Sequence, residues 1–64
     1  MKIKELKKGD FFTLRPIEEP KESQVWIRGG YDRGMRLFEC TRFDDISEVR
    51  YMEGHRDVYI DFTF

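Results

Sequence analysis

Sixty-four residues leave room for one domain and no second core, and a chain of this length buries only about 60% of its unfolded surface, so its stability is marginal. The formal charge of −1 with 39% charged residues describes a mixed-sign surface with no general affinity for polyanions. One cysteine and one histidine exclude an intramolecular disulfide and a structural zinc site, which needs four Cys or His ligands.

What remains to stabilise the fold is an aromatic core or self-association. Six Phe, three Tyr and one Trp make 16% of the chain, and each buried ring removes a large area from water. The start, Met1-Lys2-Ile3-Lys4-Glu5, is charged and lacks the apolar run of a signal peptide. No stretch approaches the roughly 20 apolar residues that cross a bilayer, and a single thiol fits a reducing compartment. The expectation is a soluble cytoplasmic protein with no membrane partner.

Residues 1–8 read as an N-terminal arm or cap, a helical turn or an extended piece that lays Ile3 and Leu6 on the domain. Lys7-Lys8-Gly9-Asp10 is a turn, with Gly9 supplying positive φ and Asp10 bonding nearby backbone. Phe11 to Arg15 favours a first strand with Phe12 and Leu14 inward. Pro16 ends it, and the acidic run to Ser23 is a surface loop, ordinarily a solvated connection.

Gln24-Val25-Trp26-Ile27-Arg28 alternates, placing Val25 and Ile27 on one face and Gln24, Trp26 and Arg28 on the other. Three glycines between Gly29 and Gly34 mark a reversal. The returning strand, Met35 to Arg42, is expected to bury Phe38 and Cys40, because burying Glu39 costs several kcal/mol. Phe43 to Ser47 is a turn with an anchoring aromatic. Glu48 to Met52 alternates again, with Val49 and Tyr51 on one face and Glu48, Arg50 and Met52 on the other. Gly54 closes a hairpin into a last strand, with Val58, Ile60, Phe62 and Phe64 inward and Asp57, Tyr59, Asp61 and Thr63 outward.

The fold class predicted is all-β: a five-stranded antiparallel meander closing into a small SH3-like barrel over residues 1–64. An OB-fold normally needs more residues and an extra helix.

Leu6-Lys7-Lys8-Gly9-Asp10-Phe11-Phe12, Val25-Trp26-Ile27-Arg28-Gly29, Tyr31-Asp32-Arg33, Cys40 followed by Phe43-Asp44-Asp45, and Val58 to Phe64 carry a resemblance. Over nearly its whole length the chain resembles a group of short uncharacterised proteins of gut anaerobic bacteria, often associated with mobile elements. The resemblance implies a small bacterial β protein and no established activity. The Leu-Lys-x-Gly-Asp entry into a first strand also resembles other SH3-like barrels, whose functions are unrelated.

No catalytic signature is present, so an enzyme is not expected, and no cofactor or metal is called for. Asp44 and Asp45 are adjacent in a turn, where capping and solvation are the ordinary role. His55 sits in a turn with no partner, and Cys40 reads as a buried, inert thiol. The candidate binding surface is the outward set Trp26, Arg28, Arg36, Arg42 and Tyr59. Trp, Tyr and Arg dominate protein-interface hot spots, which points to a protein partner or a homodimer. The same groups grip single-stranded RNA or DNA, the alternative, against which the near-neutral charge counts. A purely structural account packs Trp26 under the Pro16 to Ser23 loop and pairs the arginines with neighbouring acids.

Overall fold

In the computed structural model, which describes residues 1–64, chain order and sheet order coincide. Strands β1 (Phe11–Phe12), β2 (Trp26–Asp32), β3 (Leu37–Arg42) and β4 (Asp45–Met52) form one antiparallel sheet in the order β1-β2-β3-β4. Helical residues are confined to two 3-10 turns, Ile3–Glu5 and Glu22–Gln24, and no helix is long and apolar enough to cross a membrane.

The entry into β1 is built as its residues dictate. Gly9 takes φ +96°, a conformation that costs a side-chain-bearing residue energy. The Lys7 N–H donates to Asp10 Oδ2 at 2.8 Å, which locks the turn. Past it, the Gly9 N–H donates to Arg28 O at 2.8 Å and the Arg28 N–H to Asp10 O at 2.9 Å, so the turn is already tied to β2. Strand β1 then stops early. Thr13 leaves β2 and exchanges both backbone hydrogen bonds with Tyr59, at 2.9 and 3.0 Å, while its hydroxyl donates to Arg15 O at 2.6 Å.

The sheet has four strands and is not closed, where five strands and closure into a barrel were expected. The last segment forms no ladder with the sheet and has only two isolated β-bridges, Lys2↔Asp57 and Thr13↔Tyr59. Its extended run is broken where the Phe62 N–H turns back to Ile60 O at 3.1 Å, a three-residue turn that no ladder accommodates. Ile60 and Phe64, expected inward, are therefore 42% and 50% exposed, while Val58 is buried.

Register divides the sheet into two unlike faces. On the inner face, Phe12 pairs with Trp26, and Phe38 with Met52, with Cys40 between Arg28 and Arg50. The apolar members of this set are buried and are roofed by Ile3 and Leu6 of the arm and by Val58. On the outer face, a cross-strand row runs Phe11, Ile27, Thr41, Val49. One expectation fails here. Trp26 is inward and 5% exposed, because the buried Val25 precedes the strand rather than setting its alternation. In β4, Met52 is inward, while Val49 and Tyr51 are 40% and 45% exposed on the other face.

A bulge in β2 reconciles the inner set. Arg28 opposes Cys40 and Tyr31 opposes Phe38, so Gly29 and Gly30 together face the single residue Glu39. Tyr31 is thereby returned to the inner face, its ring 4.9 Å from that of Phe38. A Cβ on Gly29 would stand 2.5 Å from Glu39 O, whereas one on Gly30 would meet nothing within 4 Å. Gly29→Ala is therefore expected to cost on the order of 2 kcal/mol by overpacking against backbone. Gly30→Ala should stay within about 1 kcal/mol. Urea unfolding of the two variants checks this, and equal losses would contradict the bulge geometry.

Candidate functional site

Each residue of the expected surface has a definite place. Trp26, Arg28 and Arg42 share the inner face, since Trp26 pairs with Arg42 and Arg28 with Cys40. Arg36 lies apart in the β2–β3 turn with φ 58°, and Tyr59 sits on the last segment opposite Thr13. Tyr59 lines a groove of about 340 Å³ with Met1, Pro16, Ile17, Glu18 and Val58. Trp26 borders a separate hollow with Leu14, Arg15, Ile17 and Gln24. The five do not form one aromatic and cationic surface. Trp26 is packed beneath the residues that lead into and out of the Pro16 to Ser23 loop.

On the inner face the arginines act as lids on rings. The Arg28 guanidinium carbon lies 4.2 Å from the Phe38 centroid, and that of Arg50 5.3 Å from the Trp26 centroid. Such contacts contribute about 0.5–2 kcal/mol, more as water is excluded. Arg28 carries a cost, because its Nε is buried without a hydrogen-bond partner. Arg42 is occupied by Asp44, Nε to Oδ1 at 2.6 Å.

The reactive side chains are likewise accounted for. Burial pushes the Cys40 thiol up, against a Gly29 backbone hydrogen bond and the Arg28 charge, which pull it down. Asp45 Oδ1 accepts from the Ser47 hydroxyl at 2.6 Å and the Ser47 N–H at 3.0 Å, and these bonds hold its carboxyl below the usual range. His55 Nε2 lies 2.9 Å from Glu53 Oε2 on an exposed turn. Nowhere do three or more His, Cys, Asp or Glu side chains converge to hold a metal ion.

The surface that sequence reasoning missed is the outer face. Phe11, Phe43 and Phe64 meet edge to face, with centroids 5.4, 5.9 and 4.7 Å apart in the three pairings. Phe11 and Phe64 are nevertheless 40% and 50% exposed. From this cluster the row through Ile27 and Thr41 reaches Val49 on β4, beside Tyr51 and the 79% exposed Ile46. Strand β4 pairs with β3 alone, and none of the backbone hydrogen bonds outside the ladders involves Asp45 to Met52. Its second edge is open. The available signal was the alternation of β1, which puts Phe11 on the face opposite Phe12.

The chain is thus a small all-β protein with an apolar outer row ending at an open strand edge. No protein-family model, curated protein or solved structure matches it.

Because Cys40 is buried and its thiol is held protonated, native protein at pH 8 should alkylate on the order of a hundredfold more slowly than denatured protein. Mass spectrometry of a timed iodoacetamide reaction measures this. Equal rates in the two states would show that the β3 core face is open.

Proposed function

We propose that this chain is a non-enzymatic interaction module of SH3-like type that works in the bacterial cytoplasm by associating with protein, foremost with itself. The observation that carries the reading is the outer row Phe11, Ile27, Thr41, Val49 running to the open edge of β4. A single sheet with one covered face leaves the other to water or to a partner, and exposed contiguous apolar surface marks interaction sites. An open edge adds unpaired N–H and C=O groups that a further strand satisfies. Small size works in the same direction, since association supplements a core of only nine buried hydrophobic residues. The reciprocal bonds between Thr13 and Tyr59, which lay the last segment along β1, support an SH3-like reading of the topology.

Single-stranded nucleic acid, the second reading, has less support. Stacking needs an accessible aromatic face, and Trp26 is 5% exposed beneath Arg50.

Light scattering across a concentration series from low micromolar to near millimolar tests self-association. The expected result is a weight-average mass that climbs from the monomer toward the dimer. A monomer mass at every concentration would overturn it. Anisotropy with a labelled single-stranded oligonucleotide at two salt concentrations provides the counter-test, and binding that weakens with salt would favour the second reading.

A further inference from the structure

We infer that two copies of this chain pair through β4, antiparallel and about a two-fold axis through Val49, to give one continuous eight-stranded sheet; this rests on the self-association reading above. Four features locate the contact. Strand β4 lies at the end of the sheet and has only β3 as a neighbour. Its backbone makes no hydrogen bond outside that ladder. Its outer side chains include Val49, the terminal member of the apolar row. Glu48 and Arg50 flank Val49 on a common face, with Oε1 and Nε 4.0 Å apart, and both are well exposed.

Symmetry and charge then discriminate among the registers centred on Glu48, Val49 and Arg50. A two-fold axis between antiparallel strands stands perpendicular to the sheet and sets residues of the same face opposite one another, so it must pass through a residue position. Centred on Glu48, the pairing puts Glu48 against its own copy. Centred on Arg50, it puts Arg50 against its own copy. Like charges directly opposite are destabilising. Centred on Val49, it places Glu48 opposite Arg50 of the second copy, and by symmetry Arg50 opposite the second copy's Glu48. Ser47 then faces Tyr51. Two charge pairs form on one face and a Val49 pair on the other, where the apolar rows of the two copies become continuous. The irregularity in the β3–β4 pairing falls between Asp45 and Val49, so Val49 to Met52 keeps strict register with β3, while Ser47 and Glu48 lie on the irregular side of the contact.

The test combines charge reversal with cross-linking, each variant first checked for folding by circular dichroism. Glu48→Arg and, separately, Arg50→Glu should each raise the dimer dissociation constant about tenfold or more, because both pairs become repulsive. The double variant E48R/R50E should recover to within about threefold of the parent, since the charges are exchanged but still complementary. Glu48→Arg leaves the core untouched, so it stays informative even if Arg50→Glu, which removes the lid on Trp26, lowers stability. Val49→Cys should form an intermolecular disulfide on mild oxidation, because directly opposed Cα atoms, about 4.5–5.5 Å apart, suit the bond. Ser47→Cys should not. The parent, with only the buried Cys40, is the control. A dimer indifferent to charge reversal, or one cross-linked through Ser47→Cys and not Val49→Cys, would overturn this register while leaving self-association standing. A monomer at every concentration would overturn both.

Discussion

Two glycines opposite one glutamate decide how this chain is put together. Gly29 passes so close to the Glu39 carbonyl that no side chain fits, and the extra residue shifts the second half of β2 by one position. In an unbroken strand Trp26 and Tyr31 would point to opposite faces. With the bulge, both lie on the same side as Phe38, whose ring is held between Tyr31 and the Arg28 guanidinium. That sets the inner face, and whatever remains forms the outer one.

A one-sided core follows. The inner face is roofed at the arm and last segment by Ile3, Leu6 and Val58, while toward β4 no second layer exists. There the chain uses arginines as covers, with the guanidinium groups of Arg28 and Arg50 laid over the Phe38 and Trp26 rings. This explains why Arg28 sits beside the core rather than on an exposed aromatic surface with Trp26. The outer face receives no such cover. Its apolar side chains shield one another only where Phe11, Phe43 and Phe64 cluster. Beyond that cluster the row continues to Val49, on the strand whose edge is open.

Parts of this were legible in the residues. Gly9-Asp10 specified its turn by local chemistry, and Phe38 and Cys40 were identifiable as buried because the competing register would have buried Glu39. All-β character was legible from the density of β-branched and aromatic residues in alternation. The misplacements have a common cause, which is parity carried across an irregularity. Val25 is buried but lies outside the ladder, so counting alternation from it put Trp26 on the wrong face. In β4 the alternation itself holds, with Met52 inward and Val49 and Tyr51 on the outer face. The last segment alternates well in sequence, yet the Ile60 to Phe62 turn is a backbone event that no side chain announces. The candidate surface inherited the error at Trp26, and the open edge was visible only once the strand order was known.

The assignment of faces is therefore the claim on which the rest depends, and Trp26, the chain's single tryptophan, reports on it directly. Its emission and its quenching by acrylamide, measured in native and in denatured protein, read its exposure without a label. Burial on the inner face under Arg50 predicts a blue-shifted native emission and weak quenching, both lost on unfolding. Native emission and quenching equal to those of the denatured chain would place Trp26 outside and contradict the account.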